Sequence, residues 1–513
     1  MTPDKDGYLS HRQILVVLGG LLTGMFLSAL DQSIVGTALP RITSELGGLD
    51  KLSWVVTAYL LTATASTPLW GKISDLYGRR PLFQAAIVIF IVGSALAGFA
   101  QNIEQLIAFR AIQGLGGGGL MALAIATIGD VVPPRERARY QGYIAAVFGT
   151  SSVLGPVLGG WFADGPGWEW IFFINVPIGI VALVVTSAAL KMKHVRRDHS
   201  IDYVGATVLV ASVSSILLYT AWAGGEYGWG SREALVYLVA GFVLAGLFIV
   251  VERRAKEPIL PLSLFGNPIF RVSVGFGFLV AMAMFGAMVF LPIYLQVVDG
   301  MSPTESGLAM IPMVVGLFGA SISCGQYMSR TGHYKKLPPL GALVTIVGLA
   351  LLATMGTGTP YWFAGLAMFV MGAGLGMTMQ VLVVAVQNSV DRSDMGVATS
   401  SVQFFRQMGG AFGTALFGAV MSHQVAHYLA SAGGSTGGDL ANNVERIKSL
   451  PEPLHGVVTG AFADALQDVF VAAIPLVVVA FVIGLLLKEI PLATRQQPAE
   501  SITEAVDPEA AVV

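Results

Sequence analysis

The sequence predicts an all-α integral membrane protein of 14 transmembrane helices, two pseudo-symmetric six-helix bundles plus two inserted helices, and three observations carry that reading. Of 513 residues, 54% are apolar and 12% charged, about half the charge of an ordinary soluble protein. Apolar runs of about 18 residues or more, bounded by charge or by Gly/Pro turns, recur along most of the chain. An offset of about 253 residues then lays the punctuation of the second half over that of the first.

Crossing a hydrocarbon core of ~30 Å takes ~20 helical residues, so fourteen crossings consume roughly 280. The spans fall at about 14–39, 52–74, 82–100, 105–130, 139–163, 169–190, 202–223, 233–251, 272–296, 304–328, 338–356, 361–387, 397–421 and 464–487. The first is too long for a signal peptide, contains Asp31 and ends in ALP with no small-x-small cleavage site, so it is expected to stay as a span. Most connections are short, which makes sequential spans antiparallel neighbours. Two are not: the Pro-rich, basic stretch Glu252 to Arg271 and the Gly-rich stretch Ser422 to Asp464. The predicted division is therefore a cytoplasmic N-terminus (1–13), an N-terminal bundle (14–190), inserted spans 7 and 8 with a cytoplasmic linker (191–271), a C-terminal bundle (272–487) with an outer loop at 422–463, and a polar, disordered cytoplasmic tail (488–513).

Lysine and arginine set the orientation, because cytoplasmic loops retain them. With the N-terminus inside, 22 of the 29 basic residues are cytoplasmic and five are outside, while Arg110 and Arg406 lie within spans. A miscount of one span would spoil that split. Both termini are expected in the cytoplasm of a multi-pass protein of the cell membrane.

The repeat places Pro40 over Pro292 and Gly71–Arg80 over Gly325–Lys336, with Ser329 where the first copy has Asp75. Paired bundles of this kind belong to transporters that rock around a midplane site. Chance alignment of short Gly-containing turns is the competing explanation.

Asp31 is read as the one acid well inside a span. A carboxylate in hydrocarbon is costly, at least ~2.5 kcal/mol, so it is expected to face a wet cavity or a partner. It could load and release a proton as its exposure alternates, or be a permanently paired packing acid. Arg110, at nearly the same depth, is the expected partner, and it cannot give up its proton. Arg406, beside Gln403 and Gln407, either lines the substrate path or caps backbone carbonyls of a neighbouring helix. At the end of span 2, Gly71, Asp75, Gly78, Arg79 and Arg80 form a turn whose carboxylate could pair with cations or a helix dipole in one conformation only, as a gate; an ordinary positive-inside turn explains the arginines but not Asp75. In span 5, Gly149, Gly155, Pro156, Gly159 and Gly160 suit either a bent hinge or plain close packing.

Other chemistries find little support. Net charge −2 gives no basic face for nucleic acid. The single cysteine, Cys324, allows no internal disulfide or cysteine-based metal site, and His423 and His427 have no clear third ligand. No histidine falls in a span, so a membrane enzyme with a nucleophile and base is not expected. No cofactor is expected beyond a proton gradient, and no second copy is called for. A channel or receptor fits the span count but not the repeat.

In order along the chain, these motifs resemble the major facilitator superfamily, in its 14-helix drug:proton antiporter branch of the EmrB/QacA type. The likeness covers about residues 14–487. GKISDLYGRRP resembles the family's loop motif, RAIQGLGGG (Arg110, Gln113, Gly114, Gly116) its fourth-helix motif, and Gly149 through Gly160 its antiporter motif. LDQSIVGTALP places Asp31 and Pro40, and FFINVPIG supplies Asn175 and Pro177. Gly36 stands where the family more often has Asn, and Glu169 where a WRW pattern has Arg. The resemblance implies proton coupling through Asp31 and Arg110, gating by Gly71–Arg80, and export of amphipathic, neutral or singly charged small molecules. Trp54, Tyr59, Gln113, Phe285, Phe290, Tyr294, Gln403, Phe404, Arg406, Gln407 and Met408 would line the cavity, although aromatics at such spacing also serve as core or lipid-facing residues. The alternative is a dedicated exporter of one metabolite, lipid or self-made antibiotic.

Overall fold

The computed structural model describes residues 11–46, 52–132, 134–189, 202–224, 228, 230–255, 257–391, 394–431, 451 and 454–492. All regular structure among them is helical, as expected where no water is present to satisfy backbone groups. The helices are α1 (His11–Leu46), α2 (Leu52–Tyr77), α3 (Arg79–Gly98), α4 (Ile103–Val131), α5 (Pro134–Asp164), α6 (Trp170–Phe173), α7 (Asn175–Ala189), α8 (Tyr203–Gly224) and α9 (Arg232–Glu252). They continue as α10 (Pro268–Ile293), α11 (Pro303–Ala309), α12 (Ile311–Thr331), α13 (Leu337–Leu352), α14 (Tyr361–Ser389), α15 (Met395–Ser431) and α16 (Leu454–Leu485). Among the described residues, ten helical segments are long and apolar enough to cross a membrane. Residues 1–10, the stretch 190–201, residues 432–450 and the tail beyond 492, where cytoplasmic termini and disorder are predicted, lie outside the described residues.

Helix starts follow side-chain chemistry. Asn102, Ser231 and Asn267 each accept a hydrogen bond from a first-turn N–H, and Ser302 with Glu305 forms a reciprocal capping box. Three predicted spans are interrupted: 169–190 breaks at Ile174 between α6 and α7, 304–328 divides into α11 and α12, and 272–296 ends in a π turn (Tyr294–Val298) just after Pro292. That proline lacks the N–H a regular turn would use.

The stretch predicted as an outer loop at 422–463 is helical at both described ends, since α15 continues to Ser431 and α16 begins at Leu454. Asp468 now lies well inside a helix, half-buried, and accepts hydrogen bonds from Gln424 and, at 2.8 Å, from the Tyr428 hydroxyl. Hydropathy ends a span where polar residues begin, whereas helical hydrogen bonding runs on through them.

One apolar core joins α10 with α12–α16, and another joins α1–α5 with α7. The second also takes in Val383 and Val386 of α14 and Val397, Ala398 and Val402 of α15. All five lie toward the end that carries Gly71–Arg80, here termed the basic end, so the halves of the chain meet there. α8 and α9 pair with each other, and Leu209, Val213 and Leu217 of α8 join Ala65 of α2 and Phe404 of α15 in one cluster. α8 thus rests on both halves of the chain. Gly78 and Gly332, 254 residues apart, both take a positive φ (94° and 76°), and each N–H bonds to the carbonyl four residues back, at 3.0 and 2.8 Å. Glycine alone adopts this conformation without strain.

Candidate functional site

Asp31 and Arg110 meet. On α1, Leu27, Leu30 and Ile34 pack into the interior and carry Asp31 with them, at 0% exposure. On α4, Arg110, Gln113, Gly114 and Gly117 recur at helical spacing, and the two glycines leave room for Tyr59, whose backbone and hydroxyl any added Cβ would strike. One carboxylate oxygen of Asp31 pairs with Arg110; the other accepts from Gln113 Nε2 at 2.8 Å and Asn175 Nδ2 at 2.9 Å. Arg110 also donates to Gln113 Oε1 at 2.6 Å and to the Val55 carbonyl at 3.3 Å. Its guanidinium lies 4.3 Å from the centre of the Tyr59 ring, a cation–π contact. Tyr59 in turn shares a hydrogen bond with Ser28, and Asn175 donates to Ser94. Arg110 is 1% exposed. In this conformation the set is dry, and a buried ion pair of this kind holds only because its remaining hydrogen-bonding groups are also occupied.

The break at Ile174 puts Asn175 at the start of α7, within reach of Asp31. FFINVPIG had drawn attention to this residue, but the carboxylate it serves could not be read from local spacing.

At the basic end, Asp75 lies past the predicted span 52–74 and joins three helices to a fourth. It pairs with Arg79 at 2.6 Å, Arg79 pairs with Asp130 at 2.6 Å and donates to Ser74, and Asp75 accepts the Val397 N–H of α15 at 3.0 Å. The N-terminus of a helix favours such an anion. Burial, outweighing the attraction of Arg79, pushes the Asp75 carboxyl up from 3.8 to about 6. A Cβ on Gly71 would overlap the Ser400 side chain and stand 2.9 Å from the Gly396 carbonyl oxygen, so glycine permits this approach of α2 to α15. Gly78 begins α3, and Arg80 donates to the Ser187 carbonyl at 2.9 Å. Sequence reading missed Asp130, Arg137 and Gln387. Buried Arg137 donates to the Gln387 carbonyl at 3.2 Å, and the Gln387 amide reaches the Ile125 carbonyl at 3.2 Å, tying α4 and α5 to α14.

On α5, Gly149 faces Val314 and Phe318 of α12, and Gly155 lies against Ser33 of α1, whose hydroxyl donates to the Ser151 carbonyl at 2.8 Å. Gly159 is buried, Gly160 has open space beside it, and α5 continues as one helix through position 156, whose side chain lies outside the described residues. The cavity candidates scatter. Trp54 is half-buried beside Val55; Tyr59 belongs to the Asp31 set. Tyr294 is buried and donates to the Gly356 carbonyl at 2.9 Å, and Phe290 is buried in the same core. Phe285 packs at Gly410, while Phe404 and Met408 join the cluster with α2 and α8. Gln403 is buried and Gln407 and Arg406 half-buried on α15. The His427 ring lies edge-on to Tyr428, 5.6 Å between centres.

The Major Facilitator Superfamily model matches residues 21–414. An uncharacterised MFS-type transporter of Mycobacterium tuberculosis is 40% identical over 95% of this chain and 71% of its own. The multidrug transporter protein MdtP of Bacillus subtilis is 36% identical over 99% of both chains, and multidrug resistance protein 3 of the same organism 34% identical over 91% and 94%. Among solved structures, the human organic anion transporter MFSD10 aligns with a TM-score of 0.59 at 17% identity, over 91% of this chain and 99% of its own. The proton:xylose symporter XylE aligns with a TM-score of 0.59 at 14% identity, over 91% and 95%.

Proposed function

The chain belongs to the major facilitator superfamily, and from that premise we propose that this membrane transporter is a proton-coupled antiporter of the 14-span branch that exports amphipathic small molecules from the cytoplasm. The names of the Bacillus relatives support multidrug efflux. The basic end is taken as cytoplasmic, and in this conformation it is closed.

One observation carries the coupling: Asp31, Arg110, Gln113 and Asn175 form a sealed set drawn from three helices. Protonating Asp31 would strip Arg110 of its counter-charge in a dry site, so protonation must be accompanied by rearrangement of α1, α4 or α7. A step that obliges motion is what coupling needs. The Asp75–Val397 contact serves as the latch that holds the cytoplasmic end closed, and the glycines of α5 hold that helix against α1 and α12.

The test is transport in inverted vesicles with an imposed pH gradient and a chemically varied panel. Asp31→Asn is expected to abolish gradient-driven uptake, with Asp31→Glu retaining part of it and both proteins present in the membrane. Gradient-dependent transport undiminished in Asp31→Asn would refute the coupling role. Uptake of a single compound would indicate a dedicated exporter.

A further inference from the structure

Arg406, half-buried, differs from the buried arginines. Arg79, Arg110 and Arg137 each have an acidic or carbonyl partner, but among the described residues the Arg406 guanidinium has no hydrogen bond and no ion pair. That removes backbone capping as its role. It borders a small space of about 10 Å³ between α10, α14 and α15, walled by Gly277, Val280, Leu382 and Val402, with Thr378 as the other polar side chain. The Thr378 hydroxyl is already spent on the Leu375 carbonyl at 2.9 Å. No acid lines the cavity. Beside Arg406 on the same helix, the Oε1 atoms of Gln403 and Gln407 are buried and unpartnered, and a side-chain amide can turn either its oxygen or its NH2 toward a ligand.

A lone cation within a membrane helix is among the most costly placements known and marks function. None of the described residues supplies its counter-charge. We infer that Arg406 anchors the acidic group of the exported molecule, so that the cargo is an amphipathic monoanion, a carboxylate or sulfonate on an apolar body, with Gln403 and Gln407 as further hydrogen-bonding groups. A guanidinium fork matches a carboxylate with two parallel bonds; the space beside Arg406 holds about one water in this conformation, so the cargo enters as α10, α14 and α15 part. This inference rests on the exporter reading for the identity of the cavity.

The test is equilibrium binding of 11-(dansylamino)undecanoic acid and its methyl ester to the purified full chain in phosphatidylcholine nanodiscs, with no gradient. The acid is expected to bind about ten-fold or more tightly than the ester, the worth of a hydrogen-bonded charge pair. Arg406→Gln should bring the acid down to the level of the ester and leave the ester unchanged, and Arg406→Lys should keep part of the preference. Equal binding of acid and ester to the native protein overturns the inference, and so does a preference that survives in Arg406→Gln. If Arg406→Gln binds neither probe, the native comparison and Arg406→Lys decide. A preference abolished by phosphatidylglycerol in the discs would assign the position to a lipid headgroup and overturn the solute reading. Because binding needs no gradient, a failure of proton coupling would appear in vesicles while the acid preference stood.

Discussion

Replacing Arg79 by glutamine should unlatch the basic end. Arg79 is 7% exposed and bridges Asp75 and Asp130, 11% and 19% exposed, at 2.6 Å each. Gly396 of α15 packs over this group, so closure is what withdraws it from water. Breaking a fully buried pair costs about 3–5 kcal/mol, and an exposed one contributes about 0.2–1 kcal/mol; this bridge lies between those limits. Asp75, already raised to about 6, can take up a proton once the cation is gone, which caps the penalty. About 2 kcal/mol against closure follows, or a roughly 30-fold change in the ratio of closed to open. Spin labels at Tyr77 and Tyr327, both exposed and near the basic end, with Cys324→Ser to remove the native thiol, would report it as a longer distance in electron–electron resonance. A closed-to-open ratio within about three-fold of the native protein's at pH 7, too small for the expected ~2 kcal/mol, would refute the reasoning.

Asp75→Asn should act in the opposite sense: the amide oxygen can still accept the Val397 N–H, but the charge whose burial opposes closure is gone. Turnover should slow several-fold with substrate affinity unchanged, and an unaltered transport rate would count against a latch. In the native protein the closed end binds the Asp75 proton more tightly than a solvated carboxylate does, so closure is favoured by acid. That contribution is complete below about 4 and is lost as pH rises through about 6; the same label pair should show more of the short distance at pH 5 than at pH 8. Gly71→Ala would drive a methyl group into Ser400, and should raise the open population and expose α15 near Gly396 to a water-soluble thiol reagent when a cysteine is placed there.

How much of this was legible depended on the range of the interaction. Helices were readable because hydrocarbon leaves the backbone one solution, so apolar runs and helices nearly coincide. The repeat was readable because a backbone of positive φ leaves a glycine at both positions 78 and 332. Asp31 and Arg110 announced each other as opposite charges at matched depth. Asp130 did not, since at the end of α4 it reads as an ordinary boundary acid, and the Val397 N–H that receives Asp75 has no side-chain signature at all. Tyr59 and Tyr294 looked like cavity wall, yet each is seated by a hydrogen bond, to Ser28 and to the Gly356 carbonyl, that only the packed arrangement reveals. The helical continuation through Asp468 was hidden because hydropathy records preference for lipid rather than for helix.

The two charged clusters answer different physical demands, and the difference bears on how they work together. Asp75 sits where closure takes it from water, so its proton affinity rises with closure and the basic end itself responds to pH. Asp31 is paired with Arg110 and has no exposure at all, so in this conformation it is out of contact with solvent on either side. A transporter built from only the first would change shape with pH without carrying a proton, and one built from only the second would hold a proton site that nothing opens. The α1–α5 contact at Ser33 and Ser151 lies two residues along α1 from Asp31, and α5 in turn packs on α12 at Gly149. In the proposed mechanism, release of the latch would act on Asp31 through these packed helices, rather than electrostatically across the width of the protein, where water and salt would screen it.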